Sequence, residues 1–305
     1  MKPASPLRIG TRASPLALAQ TEIVRGLLAA AHAGLAFEIV TIRASGDRIL
    51  DRPLAEAGGK GLFTKELDEA MLAGRIDIAV HSAKDVPTLL PPGIGLAAFP
   101  PREDPRDALV GDFDAIEKLP PGARVGTSSV RREALLRRRR PDLSIKLLRG
   151  NVGTRLAKLA AGEFDAAVLA LAGMKRLGLA AHARAPLDPA AFPPSVGQGA
   201  IAIAARADDE ASLRLVAAID HAPTSTALAA ERAFLAALDG SCRAPIGGHA
   251  TVGGGRIALH GLVIAPDGTG AVETRREGVL ADAEALGRDA GEELRARAPA
   301  GVLDA

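Results

Sequence analysis

The stretch Arg8-Ile9-Gly10-Thr11, followed by Arg12-Ala13-Ser14-Pro15 and the apolar Leu16-Ala17-Leu18, returns later as Arg124-Val125-Gly126-Thr127, followed by Ser128-Ser129 and Ala134-Leu135-Leu136. A second echo follows in the same order. Ala73-Gly74-Arg75-Ile76-Asp77-Ile78-Ala79-Val80 is matched by Ala161-Gly162-Glu163-Phe164-Asp165-Ala166-Ala167-Val168. Two echoes in one order point to two domains of one architecture. In each, a short aliphatic strand runs into a Gly-Thr turn and a helix start. Strands keep alternating with helical stretches such as 63–72 and 154–161. That alternation reads as a mostly parallel α/β sheet in each half.

Proline marks the boundaries. Pro100-Pro101-Arg102-Glu103-Asp104-Pro105 separates the repeats, and Phe192-Pro193-Pro194-Ser195-Val196-Gly197-Gln198-Gly199 closes the second, so both read as hinges. The apolar strand 200–205 then returns to the first sheet, giving two crossings between two lobes with a cleft between them. From about residue 219 the pattern changes. A helix over 224–238 is followed by a loop at 239–244, strand-like runs near 249–252 and 256–264, and the turn Pro266-Asp267-Gly268-Thr269-Gly270. A further strand and a final helix over 281–297 complete a small α+β third domain. The expected division is residues 1–100 with 198–218, residues 101–197, and residues 219–305.

Length agrees with this division, because 305 residues at roughly 150 per domain make about two domains with room for a small third. Hydrophobic residues at 48% and charged residues at 24% exclude global disorder. Lys plus Arg is 38 against Asp plus Glu 36, a net charge of +2 that argues for no particular partner. Seven Phe with no Trp or Tyr leave few platforms for base stacking. The start, Met1 to Arg8, lacks the apolar core of a signal peptide, and no apolar run approaches about 18 residues. The expectation is a cytoplasmic protein with no membrane partner. The single cysteine, Cys242, excludes an internal disulfide and a multi-thiolate metal site. The six histidines form no metal-ligand pair, so no metal is expected.

Arginines gather where strands end and helices begin: Arg12 after Gly10-Thr11, Arg131 and Arg132 after Gly126-Thr127-Ser128-Ser129, Arg149 before Gly150-Asn151, and Arg155 after Gly153-Thr154. Cations in a helix's first turn oppose its dipole at about 0.3–1 kcal/mol each, so an anion should offset them. Helix N–H groups, hydroxyls and guanidiniums converging at strand ends make a carboxylate or phosphate site. A solvated basic face explains any one of these arginines, but not readily the whole set. The run Arg137-Arg138-Arg139-Arg140 reads chiefly as the cationic end of a helix, with a nucleic-acid patch as the alternative. His81-Ser82-Ala83-Lys84-Asp85-Val86-Pro87 follows the strand 76–80 and puts Asp85 where it could transfer a proton, stabilise a cation, or form a structural salt bridge. Gly58-Gly59-Lys60-Gly61-Leu62-Phe63 lacks P-loop spacing and reads as a mobile lid. Cys242, in Gly240-Ser241-Cys242-Arg243-Ala244-Pro245, sits on a loop where Arg243 favours thiolate, although a lone cysteine is most often a small buried hydrophobe.

Together these residues closely resemble the hydroxymethylbilane synthase family, also called the porphobilinogen deaminases, over nearly the whole chain. The match runs through 8–18, Gly58 to Phe63 with Lys65-Glu66-Leu67, His81 to Pro87, Arg102 to Ala108, Gly126 to Arg132, Arg149 to Arg155, Val196 to Ala200 and the Cys242 loop. One departure is Ser241, where the family usually has a second Gly. The resemblance implies two type II periplasmic-binding-protein-like α/β lobes with mixed sheets plus a small α+β C-terminal domain. It implies a monomeric transferase that joins four porphobilinogens head to tail with loss of ammonia and then releases hydroxymethylbilane by hydrolysis. A dipyrromethane cofactor, attached to Cys242 by a thioether, would serve as primer.

By the same resemblance, Lys84, Asp85, Thr127, Ser129, Arg131, Arg132, Arg149 and Asn151 hold the cofactor. Arg12, Ser14, Arg149, Arg155 and Gln198 take the substrate, while Lys60 and Phe63 belong to the lid. Asp85 is the catalytic group, bonding pyrrole N–H groups and stabilising the positive azafulvene formed as ammonia leaves. Two rivals compete with this reading. A non-catalytic two-lobed binder of an anionic small molecule would need neither Cys242 nor Asp85. A nucleic-acid binder rests on Arg137 to Arg140 alone.

Overall fold

The computed structural model describes residues 6–48, 61–239 and 244–303. β1 (Leu7–Arg12), α1 (Pro15–Ala31), β2 (Phe37–Ile42), α2 (Lys65–Leu72), β3 (Ile78–Ser82) and β4 (Ile94–Ala98) precede the first crossing. After it come β5 (Asp107–Gly111), β6 (Arg124–Thr127), α3 (Val130–Arg139), β7 (Ser144–Leu147), α4 (Val152–Ala160), β8 (Ala166–Ala170), α5 (Leu171–Arg176) and β9 (Ala183–Pro186). The second crossing leads to β10 (Ile201–Arg206) and α6 (Glu210–Ala217). The chain ends with α7 (Ala222–Ala237), β11 (Ile246–Gly253), β12 (Arg256–Val263), β13 (Val272–Val279) and α8 (Ala283–Arg297).

The echoed sequences build the same clamp twice. Arg8 donates from its backbone N–H and its guanidinium to Asp77, at 2.8 and 2.6 Å, and to the Gly74 carbonyl at 2.6 Å. Arg124 does the same to Asp165, at 2.7 and 2.8 Å, and to the Gly162 carbonyl at 3.0 Å. Gly74 and Gly162 have φ of +65° and +74° just past α2 and α4, the left-handed helix ending that glycine adopts without a Cβ penalty. The recurring Arg, Gly and Asp are therefore one device, tying the first parallel strand to the third.

The sheet orders, β2-β1-β3-β10-β4 and β7-β6-β8-β5-β9, correspond strand for strand. Three strands of each are parallel. The strand that has just crossed from the other lobe is antiparallel in both, β10 beside β3 and β5 beside β8. The alternation pattern suggests mostly parallel sheets, and the structure corrects it to mixed ones. The reason is the entry point: Ile201 pairs with Ser82 and Asp107 with Ala170. A chain entering at the carboxyl end of parallel strands has to run against them. The architecture is thus two α/β lobes with mixed sheets and a smaller α+β unit.

Aliphatic side chains fill the lobes, among them Ile9, Val24, Leu28, Ile78 and Ile203 in the first and Leu109, Val125, Leu136 and Val168 in the second. In the C-terminal unit α7 and α8 pack on the antiparallel sheet β11-β12-β13 around Phe234. A Cβ on Gly287 or Gly291 of α8 would strike the carbonyls of Ala230 and Phe234, so those glycines let the two helices touch.

This unit grips both crossings through Glu231, which is fully buried. Arg102 donates to it at 2.6 Å, and the backbone N–H groups of Gly197 and Ala250 each donate at 2.7 Å. Arg102 also reaches the Gln198 carbonyl at 2.9 Å. Burial opposes the charge on Glu231, but Arg102 and His249 outweigh it and hold the carboxyl down to about 2. A carboxylate depressed by folding stabilises fully above its ordinary pKa, here 4.5, and loses that contribution as pH falls towards the folded value. Stability should therefore decline between about pH 4.5 and pH 2. Glu231→Gln, which strands the Arg102 charge, should cost about 3–5 kcal/mol at pH 7 and flatten that acid limb. Urea unfolding of both proteins at neutral and acid pH measures the two effects, and a wild-type midpoint with wild-type acid dependence would contradict them.

Candidate functional site

The carboxyl ends of β1, β3, β6 and β7 open toward the crossings, where α/β proteins place their ligands. From the first lobe, β3 runs into the one-turn 3-10 helix Ala83–Asp85, presenting Lys84 and Asp85. Arg12, at the end of β1, lies 3.8 Å from the Asp85 carboxylate and stacks 4.1 Å from the centroid of Phe63. That stacking brings Phe63 into the site. Lys60, its partner in the expected lid, and Cys242 lie outside the described residues. His81, buried on β3, is pulled down to about 4 by burial and by the nearby Arg12, so it is neutral at pH 7.

From the second lobe, Arg131 and Arg132 in the first turn of α3 turn inward and are buried. Their common partner is Asp107, fully buried at the start of β5, 2.8 Å from Arg131 and 2.7 Å from Arg132. Arg131 also donates to the Pro193 carbonyl and Ser195, and Arg132 to the Val168 carbonyl. The anion that two cations at a helix start call for is thus supplied here from within the chain. Burial works against the Asp107 charge, but the two guanidiniums outweigh it and hold its carboxyl far below the usual range.

Gln198, on the second crossing, joins the lobes. Its amide nitrogen donates to Asp107 and to the Pro105 carbonyl, both at 2.8 Å, and its amide oxygen accepts from Arg132 and from Lys84, both at 3.4 Å. Burial and the neighbouring Arg132 pull Lys84 down to about 8, against the pull of Asp85 and Asp107. Farther along the second lobe, Arg155 donates to the Gly150 carbonyl at 2.8 Å and to Ser128 at 3.4 Å. Burial, then repulsion from Arg132 and Arg149, pulls its pKa down to about 10.

The small polar residues expected at the site shape it through the backbone. Ser14 accepts from the Ala17 N–H at 3.3 Å, Ser129 from Arg132 at 3.4 Å and Asn151 from Thr154 at 2.9 Å, each as an N-cap. Thr127 accepts from the Ser129 N–H at 3.2 Å. These caps aim the starts of α1, α3 and α4 at the cleft. Two residues the sequence reading did not single out also face it. Asp107 passed as one letter in a longer match, and Arg176, which donates to the Gly199 carbonyl at 2.6 Å and is pulled down to about 10 by burial, carries no local motif at all. The Arg137 to Arg140 run lies elsewhere, its members bonded in order to Glu133, Glu273, Glu117 and Asp142.

A family model described as porphobilinogen deaminase, dipyromethane cofactor binding domain, matches residues 7–214, and one described as porphobilinogen deaminase, C-terminal domain, matches residues 225–296. The chain is 59% identical over 293 residues to a porphobilinogen deaminase of Nitrobacter hamburgensis, covering 95% of this chain and 93% of that one. It is 58% identical to the porphobilinogen deaminase of Nitrobacter winogradskyi over the same shares. Among solved structures it overlays on a TRAP periplasmic solute binding protein from Ralstonia eutropha with a TM-score of 0.41 and 13% identity, over 71% of this chain and 76% of that one. On the periplasmic aliphatic sulphonate binding protein of Escherichia coli the TM-score is 0.40 and the identity 16%, over 77% and 71%.

Asp107 is the shared carboxylate partner of two buried guanidiniums, which sets the expectation for its removal. Asp107→Asn should destabilise the protein by about 3–5 kcal/mol, as for other buried pairs that lose one partner, measured by urea unfolding. A loss below about 1 kcal/mol would mean that Arg131 and Arg132 find other compensation.

Proposed function

The chain belongs to the porphobilinogen deaminase family, and from that premise we propose how its residues divide the work. The enzyme is a transferase of tetrapyrrole biosynthesis that condenses four porphobilinogens head to tail with loss of ammonia and releases hydroxymethylbilane by hydrolysis. A dipyrromethane held on Cys242 would supply the free terminal pyrrole carbon to which the first unit is joined, each later unit adding to the end of the growing chain. Family membership favours this reading over a simple anion binder or a nucleic-acid binder.

The residues present suit a poly-carboxylated pyrrole chain. Burial first, and then repulsion from Arg132 and Arg149 on Arg155 and from Arg132 and Arg131 on Lys84, shifts each toward its neutral form. Carboxylates entering this cleft relieve that repulsion. Arg12, Arg149 and Arg155 bind them directly, with Ser14, Gln198 and Asn151 beside them. Lys84, Thr127 and Ser129 line the primer's seat. Arg131 and Arg132, whose donors are engaged by Asp107 and the crossing segments, form its fixed positive wall. Asp85 accepts pyrrole N–H bonds and stabilises positive charge as ammonia departs. The observation that carries this role is its place on the turn after β3, with Arg12 at 3.8 Å and Lys84 next in sequence.

The division into residues 1–100 with 198–218, 101–197 and 219–305 is supported by strand membership in three separate sheets. We place the enzyme in the cytoplasm as a monomer. No helix among the described residues is long and apolar enough to cross a membrane, and exposed large apolar residues such as Ile23, Leu89, Leu147 and Val279 are dispersed over all three units.

Intact-mass measurement of protein from cells able to make porphobilinogen should show an adduct of two pyrrole units, and Cys242→Ser should lack it. A bare-sequence mass for the unaltered protein would refute the attachment. Asp85→Asn keeps the shape and removes the charge. It should retain fold and primer while turnover drops roughly 100-fold or more, and near-normal turnover in a folded, primed variant would reject the role.

A further inference from the structure

Glu231 and Arg232 stand side by side on α7 and reach in different directions. Glu231 holds the crossings, whereas Arg232 reaches the first lobe and donates to three consecutive carbonyls, Val86 at 3.4 Å, Pro87 at 2.8 Å and Thr88 at 3.2 Å. Those residues directly follow Asp85. One turn earlier on the same helix face, Leu228 is fully buried against Ala83 and Val86. A groove of about 710 Å³, lined by Thr88 of the first lobe, Arg232 of α7 and Arg288 of α8 among others, opens beside this contact.

The turn bearing Lys84 and Asp85 is held independently at its other end. Ala83 donates to the Ala200 carbonyl at 3.0 Å, and the backbone of Gly197 packs so close that a Cβ there would lie 2.9 Å from the Lys84 nitrogen. Past Asp85, Pro87 has no N–H to anchor it, which leaves its carbonyl as the polar handle, and Arg232 takes it. The guanidinium is half-buried, and burial lowers its pKa. Among the described residues its partners are carbonyls rather than a carboxylate. A half-buried cation spent on carbonyls is a poor source of stability but a good source of position, because a planar fork fixes several acceptors at once.

We propose that Arg232 is a positioning residue for the condensation, locking the Asp85 loop to α7 so that the Asp85 carboxylate keeps one place in the cleft. The proposal rests on the reading of Asp85 given above. Its consequence is that a small displacement of Asp85 lowers the rate without weakening substrate binding, since misplacement by about 1 Å can cost up to about 100-fold.

The test uses the full-length, primer-bearing enzyme, with intact mass confirming the primer in each variant. Arg232→Lys keeps charge and stem but loses the fork, and should lower kcat for porphobilinogen about 10-fold or more with KM within about twofold. Arg232→Gln should lower it further, while Arg288→Ala, in the same groove, should match the unaltered enzyme. Because Arg232 acts through Asp85, adding Arg232→Lys to Asp85→Asn should produce no further loss. A multiplicative loss in the double variant, or unchanged kcat in both single variants, overturns the proposal while leaving Asp85 in its role. Near-normal turnover in Asp85→Asn overturns both.

Discussion

A carboxylate with no access to water holds this protein's parts in register. Glu231 collects a guanidinium from the first crossing, an N–H from the second and an N–H from β11, and charge-assisted bonds of this kind are among the strong ones. Taking such a charge out of water costs several kcal/mol before any partner is counted, so the site tolerates no loose geometry. Its three anchors belong to segments far apart in the chain, and each must be in place for the others to be satisfied. The cleft inherits its shape from this requirement, because Gln198, Arg102 and Gly199 sit on the segments that Glu231 fixes.

The two halves of the cleft handle excess positive charge differently. At the start of α3 the chain supplies its own anion, Asp107, and both guanidiniums are consumed in holding the second lobe to the crossing. At the start of α4, Arg155 is met by a carbonyl and a hydroxyl and is pushed toward neutrality by burial and then by its cationic neighbours. A wall tied down by a shared buried carboxylate gives rigidity. A wall that still repels itself gives affinity for carboxylates, and the pairing of the two fits a ligand that must be gripped and also positioned.

The twofold architecture was legible because its device is local in pattern: an Arg before Gly-Thr, and an Asp three residues after a glycine, recur with the same neighbours. The caps were legible for the same reason. Directions and partners were not. That β5 and β10 run antiparallel follows from where the chain crosses, which no window of sequence contains. Asp107 meets Arg131 across 24 residues and Arg102 meets Glu231 across 129, so neither pair leaves a periodic signal. Boundaries moved for physical reasons as well. The helix expected from residue 224 begins at Ala222, because Pro223 is well suited to a first turn. The one expected from residue 63 begins at Lys65, because residues 61–64 are spent on a turn.

Where the duplicated lobes differ is as informative as where they agree. Aligning the two Asp clamps sets Asp77 against Asp165 and, eight residues on, Asp85 against Gly173. In the second lobe β8 runs straight into α5, and Gly173 is buried in that helix, close to Leu16 of α1. In the first lobe the corresponding chain stops after a single 3-10 turn. Pro87 accounts for the stop, since it lacks an N–H and disfavours helical geometry in the residue before it. Val86 is accordingly extended, with φ of −84° and ψ of 124°. A helix at this place would carry the chain onward with its interior carbonyls bonded to its own N–H groups. The broken turn instead leaves three carbonyls for Arg232 and turns Lys84 and Asp85 toward the crossing. One proline thus converts a packing element of the repeat into a site, and the surrounding anchors, Gln198 on Lys84, Arg12 on Asp85 and Arg232 beyond, supply the order that a helix would otherwise have provided.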